Sequence, residues 1–256
     1  MTGAPGGWAG GRVGRVLPAA TAAAVAAVAA ALMLLPAAAV GAADLAAPGF
    51  TGRQATCRGE PAVVITDEFW GGTAGRDVLV ASAADVAELW GGLDNDLICI
   101  YPDPNAPYHG MTVSGGPGHD TIVTYGGSNE VYGDADNDIL YLNGSGEYAE
   151  GGTGNDHIWG LGADDVSIQG GDGTDVLQGS PAGDLLSGGG SGDLLIGAGG
   201  ADVLNGDGGA DTLQGGAGAD DLAGGADQDS CQDGPTSTFT GCESILDGGP
   251  PVESAG

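Results

Sequence analysis

Between residues 170 and 232 an apolar residue recurs every nine positions: Leu177, Leu186, Leu195, Leu204, Leu213, Leu222 and then Cys231. Glycine opens each nonapeptide, and aspartate holds the sixth position throughout, as Asp175, Asp184, Asp193, Asp202, Asp211, Asp220 and Asp229. A period of nine fits neither a helical stripe nor a simple alternating strand. It divides into about six turn-forming residues and a strand of about three. Glycine suits the turn because several backbone positions there take positive φ or pass close to a neighbour. Within the short strand the side chains alternate faces, so only the eighth residue points inward. One leucine in nine makes no core alone. Stacked copies do, because each coil covers the next and completes its backbone ladder.

The spacing extends toward the N-terminus in worn form. Residues 72–80 place Asp77 sixth and Leu79 eighth; residues 91–99 place Asp96 sixth and Ile98 eighth. Residues 81–90 keep the length without the glycines, and Ala84 to Leu89 reads as a helical turn or a worn repeat. Residues 100–114 hold Pro102, Pro104, Pro107 and Gly110 and read as a loop that bulges from the array. From residue 115 the phase resumes for six repeats. Asp120, Asn129, Asp138, Glu147, Asp156 and Asp165 stand sixth; Ile122, Val131, Leu140, Ala149, Ile158 and Ser167 stand eighth. One extra residue near Gln169 then shifts the register, as a bulge would.

The nonapeptide resembles the hemolysin-type, repeats-in-toxin (RTX) calcium-binding family. The resemblance covers residues 72–243. It implies an all-β fold, a parallel β-roll or β-helix solenoid in which two repeats make one coil and the ion sits between turns 18 residues apart. It implies calcium as the cofactor, several ions per chain, with Asp77, Asp96, Asp120, Asp138, Asp156, Asp165, Asp175, Asp184, Asp193, Asp202, Asp211, Asp220 and Asp229 as ligands. Calcium takes 6–8 oxygens, from carboxylates and carbonyls together. Alternate repeats then face opposite edges. One edge carries aspartate from Asp120 to Asp229. The other begins with Asn129 and Glu147, so its first turns are expected to hold metal weakly or not at all.

Four cysteines allow three pairings. On such a solenoid, residues 115–232 extend roughly 30 Å at about 4.8 Å per coil. Only Cys57–Cys99 and Cys231–Cys242 avoid spanning that length. The resemblance agrees, since exported members carry a cysteine before the first repeat and a closing segment like Gly241-Cys242-Glu243. The disulfides would pin the ends of the stack.

Composition narrows the partners. The chain has 54 glycines, 35 acidic and 5 basic residues, and a formal net charge of −30. It has no lysine, and Arg76 is the last arginine. Nucleic acid and anionic membrane surfaces are therefore poor partners, and neither is expected for the chain after signal cleavage. Residues 1–43 read as an export signal: Arg12 and Arg15, an uncharged Ala/Val/Leu run bracketed by Pro18 and Pro36, then Gly41-Ala42-Ala43 before Asp44. A retained membrane anchor is the rival reading of that run. Residues 44–56 read as a leader, 57–114 as a cap and 244–256 as a disordered tail. The chain contains no HExxH, GxSxG, Walker loop or CxxC. Asp134–Asp138 begins like an EF-hand loop but lacks its central glycine, and Ser145 stands where the closing glutamate belongs. His119 and His157 fall at variable positions and read as surface residues. Tyr132, Tyr141 and Trp159 fall at position nine, pointing outward. No catalytic residue is expected. The expectation is a secreted calcium-binding module with a structural or adhesive role. The alternative is a calcium-dependent polysaccharide-binding protein or enzyme that uses the 100–114 loop and these aromatics.

Overall fold

The computed structural model describes residues 55–64, 71–82, 87–102, 105, 110–234 and 236–247. The expected export signal, nearly all of the leader, residues 103–104 and 106–109 of the Pro-rich loop and residues 248–256 lie outside the described residues. Those described contain 21 short strands and no helix. The strands form two sheets, one of twelve and one of nine. An antiparallel hairpin, Ala55–Cys57 with Glu60–Val64, opens the first sheet. Every later pairing is parallel, and from Val78–Ser82 to Ser244–Asp247 the chain crosses from one sheet to the other at successive strands. This is the β-solenoid expected from the period.

The core is the eighth position. Leu177, Leu195, Leu213, Cys231 and Ile245 are in register along the first sheet. Leu186, Leu204, Leu222 and Phe239 are in register along the second. From Ile122 to Cys231 every eighth-position side chain in the register of the fold is fully buried, in one continuous cluster. Each buried leucine or isoleucine contributes about 1.5–3 kcal/mol relative to exposure, so the stack rather than any one coil makes the fold stable.

The structure corrects or narrows the sequence reading in four places. First, the extra residue lies in the turn before Val166, not near Gln169. Ala149 pairs with Ile168 and Glu147 with Val166. Ile168 therefore stands eighth and Val166 sixth, both buried, while Ser167 and Asp165 do not face inward. An apolar pair inside and a longer turn outside is cheaper than a buried serine in a regular turn. Second, the interruption at 100–114 is shorter. Leu97–Tyr101 and Thr112–Pro117 are both strands, and Val113 fills an eighth position beside Leu89. Third, of the two readings of Ala84 to Leu89 the described part follows the worn repeat and not the helical turn, with the strand Glu88–Trp90 and Leu89 buried, while residues 83–86 lie outside the described residues. Fourth, Ser244–Asp247, expected in the tail, pairs with Ser230–Asp233 and adds a strand.

Both disulfides form as expected. Cys57–Cys99 and Cys231–Cys242 have Cα separations of 5.6 Å and 5.9 Å. The first lies in a small outer cluster with Val80, Leu97 and Val123. The second ties the eighth-position Cys231 to the closing segment.

The position-nine aromatics do face away from the core, but they are not free platforms. Tyr141 stacks on Trp159 at 5.0 Å, His157 meets Trp159 edge-on, and Arg58 sits over Tyr141. Trp159 is only 7% exposed. Tyr132 tilts against Tyr148 on the second sheet. His119 is exposed, as expected, whereas His157 is half-buried and its imidazole is held below the ordinary value by that burial.

Candidate metal centre

The turn is built so that one carboxylate faces inward beside backbone. At the sixth position the aspartate closes its own turn and reaches the coil before it. Its Oδ1 accepts the backbone N–H of the sixth-position residue one coil earlier. The bonds run Asp77 to Asp96, Asp96 to Asp120, Asp120 to Asp138, Asp138 to Asp156, Asp156 to Asp175, Asp175 to Asp193, Asp193 to Asp211 and Asp211 to Asp229, at 2.7–2.9 Å. Asp229 donates to Glu243 Oε2 at 2.8 Å, which ends the column. This is the first edge, and it is unbroken.

The second edge is different. Met111 donates to Asn129 Oδ1, and Asn129 Nδ2 donates to Glu147 Oε1 and to the Gly126 carbonyl. Glu147 also accepts from the Gly144 amide and the Thr124 hydroxyl. Val166 donates to Asp184, Asp184 to Asp202 and Asp202 to Asp220, each at 2.8 Å. Asp220 donates to Ser237 Oγ at 3.0 Å. Asp165 takes no place in this column and is exposed.

The second carboxylate oxygen carries the chemistry. Asp96, Asp120, Asp138, Asp156, Asp175, Asp193, Asp211 and Asp229 on the first edge each bury an Oδ2 with no hydrogen-bond partner. On the second edge the same holds only for Asp202, Asp220 and Asp233. A buried, unpartnered carboxylate oxygen is costly, and a row of them implies a ligand. On the first edge and at Asp202 each faces the opening glycine of its own turn and the opening carbonyl of the next coil, whereas at Gly215 the carboxylates of Asp220 and Asp233 both face the glycine. At Gly188, an added Cβ would lie 2.4 Å from Asp193 Oδ2 and 2.9 Å from the Gly206 carbonyl oxygen. At Gly206 the corresponding distances are 2.4 Å to both Asp211 Oδ2 and the Gly224 carbonyl oxygen. Only glycine leaves this oxygen-lined space open.

The electrostatics agree. Arg76 lies near Asp96 at the start of the first column and opposes its rise, and no arginine or lysine acts on the aspartates beyond it. Burial raises Asp138 to about 8, reinforced by the carboxylates of Asp156, Asp120 and Asp134 and opposed by the Asp120 N–H. Burial likewise raises Asp193 to about 7, with Asp175, Asp211 and Asp207 adding repulsion. Asp96, Asp120, Asp175, Asp202 and Asp211 rise to about 6, each first by burial. Asp156, Asp184 and Asp220 are raised for the same leading reason. A divalent cation reverses these terms. The donor set suits a hard oxygen-loving ion: carboxylates and glycine carbonyls, with no nitrogen or sulfur. Among the described residues no group of three or more His, Cys, Asp or Glu side chains converges to hold a metal. One carboxylate per turn requires the remaining oxygens to come from the backbone, which is the calcium pattern rather than that of zinc.

Several participants were not legible in the sequence. Asp233 lies beside Asp220 and is 4% exposed. It takes the place of an opening glycine, so no sixth-position count reaches it. Ser237 and Glu243 terminate the two columns in coils that have lost the nonapeptide length. Thr124 satisfies Glu147 from another coil, 23 residues away.

The RTX calcium-binding nonapeptide repeat matches in four copies, at residues 114–145, 141–168, 169–204 and 196–231. No curated protein and no solved structure matches the chain. The matched copies span the coils that carry most of the orphaned carboxylates. Residues 114–231 are thus an array of RTX calcium-binding nonapeptide repeats, the family that the sequence resembles.

Proposed function

We propose that this is an exported calcium-ion-binding protein that folds when it binds calcium outside the cell and serves there as a structural or adhesive module. The observation that carries the reading is the row of buried, unpartnered Oδ2 atoms along the first edge. Residues 115–232 contain 21 carboxylates and no lysine or arginine. Carboxylates about 5 Å apart repel by roughly 3 kcal/mol near protein. A core of one aliphatic residue per nonapeptide opposes this weakly, so the metal-free chain tends toward disorder. Calcium bridging adjacent turns through Asp120, Asp138, Asp156, Asp175, Asp193, Asp211 and Asp229 converts binding free energy into folding free energy. Extracellular calcium modules bind at about 10⁻⁴–10⁻³ M, which leaves the chain unfolded in a low-calcium cytoplasm. The two disulfides favour an oxidising compartment, and the N-terminal run of residues 16–35 supplies the export signal.

The test is circular dichroism of the mature chain. Coil is expected in chelator, and a cooperative β signal as calcium rises to millimolar. Magnesium is expected to substitute poorly, because it demands a tighter octahedron. A stable β spectrum in chelator, unchanged by calcium, overturns the mechanism. The polysaccharide-binding alternative has less support, since Tyr141 and Trp159 stack on each other rather than presenting a free face.

A further inference from the structure

Two turns break the rule that every sixth-position aspartate of the array buries a free oxygen. Asp77 and Asp184 both have their Oδ2 occupied, and by the same device. In the turn that closes on Asp184, the Ser180 amide donates to Oδ2 at 2.6 Å and the Ser180 hydroxyl donates to Oδ1 at 3.0 Å. The same hydroxyl accepts the Ala182 amide at 3.0 Å. In the turn that closes on Asp77, the Thr73 amide and hydroxyl donate to Oδ2 at 2.5 Å and 2.9 Å, and the hydroxyl accepts the Gly75 amide at 3.3 Å. The turns lie on opposite edges, 107 residues apart in sequence, yet share one hydrogen-bond pattern.

The backbone explains why. In turns with a free Oδ2, the second residue has positive φ: 109° at Gly189 beside Asp193, 77° at Ala198 beside Asp202 and 68° at Asp207 beside Asp211. Neither Thr73 nor Ser180 is in that region. Their peptide is turned so that the N–H points at the carboxylate. A hydroxyl at the second position holds that alternative by bonding both the carboxylate and the fourth residue's amide, a local competition open to serine and threonine. An N–H aimed at Oδ2 occupies one of its lone pairs and places a positive hydrogen where a cation would stand.

We propose that Ser180 and Thr73 act as built-in substitutes for calcium, closing the Asp184 and Asp77 turns so that these turns need no metal ion of their own. The proposal rests on the calcium reading above and refines it. On the second edge it adds to the protein-bonded network of Thr124, Asn129 and Glu147. That edge then has no orphaned carboxylate before Asp202. Its first half is held by protein groups and its second half by metal.

The test uses the full chain in four forms: wild type, Ser180→Gly, Asp184→Asn and Asp202→Asn. Bound calcium is counted by equilibrium dialysis, and backbone hydrogen exchange is followed across residues 166–187 in chelator and in calcium. Asp202→Asn is expected to lose an ion and Asp184→Asn none. Ser180→Gly is expected to gain an ion, and to lose whatever chelator-resistant protection the wild type shows at the Val166 and Asp184 amides. The proposal is overturned if Asp184→Asn loses as much calcium as Asp202→Asn, or if Ser180→Gly changes neither stoichiometry nor protection. Should Asp202→Asn and an added Asp193→Asn both bind as much calcium as wild type, the calcium assignment itself fails, and the comparison at Ser180 fails with it.

Discussion

Protons should do part of the work of calcium. In the metal-free fold the column aspartates are raised above their ordinary value, to about 6 for Asp96, Asp120, Asp175, Asp202 and Asp211, about 7 for Asp193 and about 8 for Asp138. An acid whose folded pKa is raised favours the fold while protonated. That contribution is complete below the unfolded value near 4 and is lost as pH climbs through 6 to 8. A rise of two pK units corresponds to about 3 kcal/mol of opposition per ionised aspartate. Relaxation and water entry reduce that figure, and a third of it is still about 1 kcal/mol each. Over these seven aspartates the total is on the order of 7 kcal/mol, comparable to the whole stability of a small domain, about 5–15 kcal/mol. Circular dichroism in chelator should therefore show β content increasing as pH falls from 8 to 5. In calcium the direction reverses: acid competes for the same oxygens, and the calcium midpoint should rise as pH falls. A chelator spectrum that is flat across this range, or loses β content on acidification, would refute the picture of a repulsive buried column.

Other perturbations separate the edges and the turns. Asp193→Ala and Asp211→Ala should each lower calcium stoichiometry in calorimetric titration, whereas Asn129→Ala, whose partner is Glu147 rather than an open oxygen site, should not; equal losses in all three would sink the two-edge assignment. Gly206→Ala should weaken calcium binding and cost several kcal/mol, because its Cβ would meet two oxygens at 2.4 Å and both belong to backbone or buried carboxylate. Ala198→Gly should stabilise the loaded protein by about 1 kcal/mol in denaturant melts, since Ala198 holds a φ of 77° that glycine adopts without strain. Removing Cys57–Cys99, which spans 42 residues, should cost about 4 kcal/mol and removing Cys231–Cys242, which spans 11, about 3 kcal/mol, read from the same melts.

The parts of the fold written as a strict repeat were legible from the chain alone. Leu177 to Leu222 mark the inward column because position eight alone is apolar in every repeat, whereas neighbours such as Leu185 and Val203 are apolar in some repeats only and stand about half exposed. Asp175 to Asp229 mark the turns because their place relative to those leucines never changes. Legibility fails where length rather than chemistry changes. The segment 160–168 has two apolar candidates, Val166 and Ile168, and counting nines from Gly151 selects Ser167 instead. Anchoring on Ile168 as the inward residue would have moved the extra residue into the turn and removed Asp165 from the column. The same holds at the far end, where the seventeen-residue step from Leu222 to Phe239 hides a coil that lost one residue. Ser180 and Thr73 illustrate a third kind of failure. Glycine and serine both read as turn formers, and only the direction of one peptide distinguishes a turn that leaves its carboxylate open from a turn that closes on it.

That distinction makes the two halves of the array unequal. From Asp96 to Asp175, each coil carries one orphaned oxygen, on the first edge, and on the opposite edge Asn129, Glu147, Val166 and Ser180 leave none. Beyond Asp193 the coils carry orphaned oxygens on both edges, at Asp193, Asp202, Asp211, Asp220, Asp229 and Asp233. The number of orphaned carboxylates per coil is therefore larger there, while the core is thinner: the earlier coils bury Ile100, Met111, Leu142 and Val166 besides the eighth-position residues, and beyond Asp193 the main core holds only Leu195, Leu204, Leu213, Leu222 and Cys231. In a stack whose stability is a sum of coil and neighbour terms, the coil with more uncompensated charge is the first to open when its ions leave. On the proposed calcium reading the C-terminal coils should need the ion most, and they are also the coils closed by Cys231–Cys242. The disulfide sits where loss of metal would otherwise let the stack unwind from its free end, so the covalent link and the ions act on the same coils by independent means.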